Sequence, residues 1–382
     1  MVDTEAAALW AAGHTVTHFE RRSDDITDWP PLRRALLPVS VVWSRKARED
    51  LRAEIRRNRP DVIHVHNTFP LLTASILAAG TEERVPIVVT IHNYKLACAS
   101  GDFFRAGAVC HDCSGRVGLP GIAHGCYRGS RLMTVPVVAG TAFNRKSWRT
   151  RPSAYIFISE SQRRALGDLH LPVSRSFVKW NLVPRAPTVV TNEEGRVSYL
   201  GRLDQAKGLS VLMAGWDRYL AGAREPKLRL SIAGNGPLMP GIQDWAGDRK
   251  DVELLGVLDR EGCRDLISRS RAVVVPSAWE ETFGLVVVEA MAGGVGVVGA
   301  GHGSLPELIS DGSDGQLFRP GDADDLAAVL EGVAADPDRW HQMGARARST
   351  YEDRWDPDAN LAQLLEIYQF AIDNPVWLDQ RS

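Results

Sequence analysis

The chain has 382 residues, 44% hydrophobic and 24% charged, ample for two globular domains with separate cores. Its 45 basic and 47 acidic residues leave a net charge of −2, so no global positive field recruits nucleic acid. The start MVDTEAAALW lacks a basic, apolar leader and no apolar run approaches the roughly 18 residues of a membrane span, so the expectation is a cytoplasmic protein.

Thr4 to Ala12 reads as a helix, Gly13 as its stop and Thr15 to Phe19 as a strand. A doubly wound domain opens with a strand and a glycine loop before that helix. Neither precedes it here, which predicts that Met1 is an internal or mis-assigned start. Glu49–Arg57 (helix), Asp61–His66 (strand), Thr73–Ala79 (helix) and Pro86–His92 (strand) then alternate as in a parallel sheet. His66 and His92 both fall where strands end, the edge at which such sheets bind ligands. For either one alone, a hydrogen-bonded structural histidine is the plainer alternative.

Between Cys98 and Cys126 the chain is glycine-rich and holds Cys98, Cys110, Cys113 and Cys126. One C-x-x-C flanked by single cysteines suits a tetrahedral structural zinc in a reducing compartment; buried or redox-active thiols are the alternative. Arg128 to Arg151 interleaves six basic residues with apolar ones, as in an amphipathic helix packed on its own domain, or one that docks on the inner face of an anionic membrane or holds a charged acceptor. Ser153–Ser159 (strand), Glu160–Leu166 (helix) and Arg175–Asn181 (strand) complete the first sheet. The polar, proline-bearing stretch at 184–195 reads as a linker between a first domain, 1–183, and a second, 196–355, with 356–382 as a terminal helix crossing back to the first.

The second domain repeats the alternation, with strands at Val197–Leu200, Leu228–Ala233, Val252–Leu255 and Val273–Val275. Gly201, Arg202, Lys207 and Gly208 occupy the turn after the first of these, where two cations can reach a diphosphate. Gly234, Asn235 and Gly236 follow the second, leaving room for a base or phosphate, or forming a plain tight turn. After the fourth comes PSAWEETFGLVVVEAMAGG. Glu281 lies in a loop and Glu289 about one turn into a helix, with Thr282, Phe283, Gly284 and Leu285 between them at the helix start, an anion site flanked by two acids. Phosphates suit the amides and hydroxyls suit the acids, a combination found in a sugar nucleotide; the alternative is that both acids merely complement the helix dipole. The later VVGAGHGS run mimics a dinucleotide fingerprint, but Ser304 replaces its third glycine and Ser304 with Glu307 reads as a capping box.

The PSAWEETFGLVVVEAMAGG pattern resembles the donor site of the retaining glycosyltransferases of family 4, with the GT-B fold, marked by two Glu separated by seven residues. The likeness runs through most of Arg196 to Asp324 and more loosely through Asp61 to Asn181. It implies an α/β protein of two Rossmann-like domains whose parallel sheets face each other across a cleft. It also implies that Glu281 contacts the transferred sugar, Glu289 binds ribose and the amides of Thr282 to Leu285 hold the diphosphate. Arg202 and Lys207, after Gly201, would clamp the leaving diphosphate, and Gly256, Val257 and Leu258 match the base-contacting segment. His92, in TIHNY, resembles the family's sugar-facing histidine.

The implied activity is retaining glycosyl transfer from a UDP- or GDP-sugar, without a catalytic metal, to a saccharide, lipid-linked or natural-product acceptor. A 2-epimerase of the same fold and a non-catalytic nucleotide-sugar-binding protein are the alternatives.

Overall fold

A computed structural model of the chain describes residues 1–31, 34, 36–186, 195–222 and 228–377. It divides into two compact units, Met1–Phe103 with Cys110–Trp180 and Asn360–Ser382, and Phe104–Val109 with Asn181–Ala359. Of the linker expected at 184–195, residues 187–194 lie outside the described residues.

The strands in chain order are β1 (Ile63–Val65), β2 (Ile87–Ile91), the short hairpin β3 (Phe104–Arg105) and β4 (Ala108–Val109), β5 (Ala154–Phe157) and β6 (Ser176–Val178). β1, β2, β5 and β6 form one sheet in that order, all parallel. All five residues of β2 are buried, as a parallel strand covered on both faces requires. Helices Val2–Ala11 and Pro357–Asp373 meet on the sheet in one apolar cluster, with Leu9, Val88, Ile156, Leu364 and Ile367. The last helix is fixed polarly as well: Tyr368 Oη lies 2.7 Å from His64 Nδ1.

One expected element is absent. Thr15 to Phe19 makes no ladder, although Val16 packs against the cluster, because among the described residues no strand offers this segment a paired edge. The basic segment forms helix Arg131–Thr150, capped by Ser130, whose Oγ accepts from the Met133 amide. Its inner face, with Val137 and Val138, is buried, while Leu132 and Phe143 face outward.

The second unit holds β7 (Arg196–Leu200), β8 (Arg229–Ala233), β9 (Val252–Gly256), β10 (Ala272–Val275), β11 (Gly296–Ala300) and β12 (Gly315–Phe318). The sheet is wholly parallel in the order β12-β11-β10-β7-β8-β9. Chain order reverses between β10 and β7, where Ala272 pairs Val197, and a doubly wound sheet opens its ligand crevice at that reversal.

The carboxyl ends of β7, β8 and β9 are knit together by backbone. Gly201 N donates to Ala233 O (3.0 Å), Gly234 N to Gly256 O (2.7 Å) and Leu203 N to Asn235 O (3.0 Å). Gly234 has φ +140° and a Cβ there would overlap the Gly201 carbonyl oxygen, so only glycine fits.

The expected capping box does not form. Ser304 has helical backbone angles, φ −82° and ψ −13°, so it cannot aim its side chain at the amides ahead, and its buried Oγ has no hydrogen-bond partner.

Gly234→Ala is expected to destabilise the second unit by on the order of 3 kcal/mol or more in denaturant unfolding, since backbone and not a flexible side chain must yield. Unchanged stability would contradict the close backbone approach.

Candidate functional site

In the second unit, the segments after β7 and β10 meet across the sheet reversal. After β7, Asp204 caps a 3-10 turn by accepting from Lys207 N, and Gly208, at φ +72°, lets this turn press on the Pro276 carbonyl beyond β10. Lys207 is thereby aimed across the gap, its Nζ 2.6 Å from Glu281 Oε1 and 5.0 Å from the centroid of the Trp279 ring. Ser277 Oγ donates to the same carboxylate oxygen at 2.6 Å, and Ser304 N donates to the Glu281 carbonyl at 3.0 Å. Glu281 is 5% exposed, so this ion pair is largely desolvated. His302 supports the loop by placing Nε2 2.7 Å from Ser277 O.

Beyond Glu281 the chain passes through buried Thr282 and Phe283 to Gly284, which occupies the N-cap at φ +82° without a capping side chain. Helix Leu285–Ala292 follows, and its first amides have no carbonyl a turn earlier to bond within the helix. Glu289, one turn in, is accessible to solvent, yet burial raises its carboxyl above the ordinary range against the pull of Arg260 and Arg264. An accessible acid so surrounded by protein sits in a recess.

Arg202 does not join the ion pair. It is 69% exposed, paired with Asp204 at 3.1 Å, and keeps the reach of an open cation. Asn235 and Val257 are exposed at the ends of β8 and β9, with Gly234, Gly236 and Leu258 partly buried. All the expected donor residues thus lie on one edge of one sheet.

In the first unit, His66 and His92 lie beyond the ends of adjacent β1 and β2, with His66 Nδ1 2.8 Å from His92 Nε2 and the rings stacked at 5.1 Å. Beside them lies a cluster with no counterpart among the expected site residues. Glu5, from the buried face of Val2–Ala11, pairs with Lys179 at 2.9 Å and approaches His66 Nε2 to 3.9 Å. The signal for it was present: Glu5 shares its helix face with Ala6 and Leu9, and Lys179 follows an apolar strand. His66, His92, Asn67, Asn93, Lys95 and Tyr127 line a cavity of about 750 Å³ within this unit.

Cys98, Cys110, Cys113 and Cys126 are partly buried and form no disulfide among the described residues. Among the described residues, the grouping with three candidate ligand atoms within 4.8 Å of one another is Glu5, His64 and His66, so the four sulfurs are not gathered as a tetrahedral set. Burial raises the Cys113 thiol, and the neighbouring Cys98 and Cys110 add to the rise.

Burial lowers the pKa of His92 to about 4 and that of His66 below its ordinary value. Burial alone would raise the Glu5 carboxyl, but Lys179 and the two histidines hold it below the ordinary range. An unfolded chain protonates these histidines near 6.5, so between about pH 6.5 and 4 the unfolded state binds more protons and stability falls as pH falls. Glu5 adds stability above its ordinary pKa of 4.5, lost as pH drops through its lowered value. Denaturant titrations at pH 7.5 and 5 are expected to show a loss of at most about 2 kcal/mol from His92, diminished in His92→Asn; a flat profile would contradict the buried neutral pair.

The Glycosyltransferase Family 4 model matches residues 1–184 and the Glycosyl transferases group 1 model matches 194–336. A phosphatidyl-myo-inositol mannosyltransferase of Mycolicibacterium smegmatis is 33% identical over 179 residues, 46% of this chain and 45% of that one. A D-inositol 3-phosphate glycosyltransferase of Corynebacterium kroppenstedtii is 33% identical over 184 residues, 46% of this chain and 40% of that one, so the chain spans less than half of either relative. A glycogen synthase of Mycobacterium tuberculosis is 27% identical over 82% of this chain and 69% of its own length.

Among solved structures, Anabaena HepE in complex with UDP superposes with TM-score 0.63 at 18% identity, covering 84% of this chain and 81% of that one. Sucrose-phosphate synthase from Thermosynechococcus elongatus gives 0.64 at 19%, covering 89% and 80%. With both family models in chain order and the same two-sheet fold in these neighbours, the chain belongs to glycosyltransferase family 4, with the GT-B fold of two Rossmann-like domains.

Proposed function

We propose that the chain is a glycosyltransferase that takes a sugar from a UDP- or GDP-sugar and transfers it with retention of anomeric configuration, without a catalytic metal. The observation that carries this reading is the Lys207–Glu281 pair across the reversal of the second sheet, beside an uncapped helix start. An ammonium held by a carboxylate, itself fixed by the Ser277 hydroxyl, and by an aromatic face is positioned before any phosphate arrives. With the amides around Gly284 and the exposed guanidinium of Arg202, it would supply fixed positive charge where the leaving diphosphate gains negative charge, the electrostatic form of catalysis. Glu281 would accept from a hydroxyl of the transferred sugar, and recessed Glu289 from the ribose.

The acceptor would enter the cavity of the first unit, where polar Asn67 and Asn93 line the wall beside Phe69 and Tyr127. That mixture suits a polyhydroxylated acceptor carrying an apolar or cyclic part, such as a saccharide, lipid-linked or natural-product acceptor. His92 would contact the sugar. The departing phosphate would take the acceptor proton, since burial leaves both cavity histidines weakly basic.

Incubation with UDP-, GDP- and ADP-sugars and candidate acceptors is expected to release nucleotide and yield a product with the donor's anomeric configuration by NMR. Lys207→Ala is expected to lower kcat/KM by roughly 10²- to 10³-fold, the usual cost of one such stabilising group. An inverted product would contradict retention, and undiminished turnover in Lys207→Ala would contradict the assigned role.

A further inference from the structure

Between Asp112 and Glu160 the chain carries no acidic residue, although it has 47 in all. The same stretch holds seven Arg and Lys, so charge that nearly balances over the whole chain is segregated here. Most of the stretch from Arg131 to Thr150 is one helix. Its first turn holds Arg131 and no acid, at the helix end where a cation is electrostatically unfavourable, so helix stability does not account for the pattern.

The outward face of this helix is apolar as well. Leu132, Val135, Ala139 and Phe143 recur at spacings of three or four residues and all are exposed, Leu132 by 82% and Phe143 by 70%. Lys146 and Arg149 continue the same face with exposed cations. The inner face is already filled: Val137 and Val138 are buried, and Asn144 Nδ2 donates to the Val42 and Gly140 carbonyls at 2.7 and 2.8 Å. The outer strip serves no packing within the chain.

The strip widens at two borders. On one, Arg145 donates to the Arg116 carbonyl at 3.4 Å, which draws the segment carrying exposed Val117 and Leu119 against the helix. On the other, Trp43 meets Phe143 edge to face with ring centroids 6.4 Å apart, next to helix Leu37–Val42 with its exposed Val39.

An exposed apolar strip bordered by cations is what an interfacial helix presents to lipid, its apolar side chains entering the acyl boundary and its cations meeting phosphates. A second copy of the chain is the competing occupant. In a two-fold contact the strip would meet itself and bring two acid-free basic faces together, which repel. An anionic bilayer offers opposite charge and apolar depth at once. No described helix is long and apolar enough to cross a membrane, so the fit is to the bilayer surface.

We propose that the face of helix Arg131–Thr150 bearing Leu132, Val135 and Phe143 docks the first unit on an anionic lipid bilayer, with Arg131, Lys146 and Arg149 against the headgroup phosphates. The docking does not depend on the glycosyl transfer proposed above.

The test is co-sedimentation of the full chain with phosphatidylcholine vesicles, with and without phosphatidylglycerol. Binding to the anionic vesicles is expected to exceed binding to the neutral ones by at least about tenfold and to weaken as salt is raised, since each cation near such a surface contributes roughly fivefold. The double variant Leu132→Gln, Phe143→Gln and the triple variant Arg131→Gln, Lys146→Gln, Arg149→Gln are each expected to keep the wild-type melting temperature, because the replaced side chains are exposed. Each is expected to lose at least about tenfold in partitioning. Failure of the wild type to bind anionic vesicles, equal binding to neutral ones, or undiminished binding by either folded variant would overturn the proposal. So would a lipid-free dimer in sedimentation velocity that Leu132→Gln, Phe143→Gln abolishes, which would assign the face to a second copy. Should a variant not fold, the wild-type comparison of the two vesicles decides.

Discussion

The second unit depends on one contact across a gap in its own topology. Between β10 and β7 the order of the sheet reverses, the place where a doubly wound sheet opens its ligand crevice, and the segments beyond these strands meet at its base, where Ala278 N donates to Ala206 O at 2.9 Å. Lys207 and Glu281 span that crevice with an ion pair 2.6 Å long. Everything around it serves its geometry: Asp204 fixes the turn that carries the lysine, Gly208 lets that turn touch the Pro276 carbonyl, and Ser277 holds the carboxylate. Breaking such a buried pair by removing one partner leaves an uncompensated charge, at a typical cost of about 3–5 kcal/mol. On the proposed function, a diphosphate that drew on Lys207 would add a second anion to a site already charged and largely desolvated, the setting in which fixed charge acts most strongly on a transition state.

The first unit uses buried charge differently. Its histidines are held weakly basic by burial, and beside them Glu5 and Lys179 form an ion pair at 2.9 Å. The two units thus divide the chemistry: one exposed and one mostly buried cation in the one, and weakly basic hydrogen-bonding groups lining a cavity of about 750 Å³ in the other.

Much of this was legible in the sequence because it follows from local pattern. Continuous apolar β-branched runs such as IVVTI and AVVV announced buried parallel strands, and glycines after them announced loops on the binding edge. The Glu281–Glu289 spacing placed one acid in a loop and the other a turn into a helix, as found. What failed depended on partners that no local pattern records. Thr15 to Phe19 has strand-like residues but no paired edge, and Ser304 with Glu307 has the capping-box letters but the wrong backbone angles at Ser304. The Cys98–Cys126 spacing suggested a metal set, whereas the fold does not gather the four sulfurs. The cluster of Lys179, Glu5, His66 and His92 joins residues up to 174 positions apart and could be glimpsed only as a glutamate on an apolar helix face.

The central claim is that two acids and a lysine on one sheet edge hold a sugar nucleotide. Calorimetric titration of the protein with an intact UDP- or GDP-sugar, beside the variant Glu281→Ala, Glu289→Ala, tests it most directly. The account predicts saturable binding of one donor by the wild type and a loss of affinity of at least about tenfold, roughly 1.4 kcal/mol, in the variant. Equal affinity in a folded variant would contradict it.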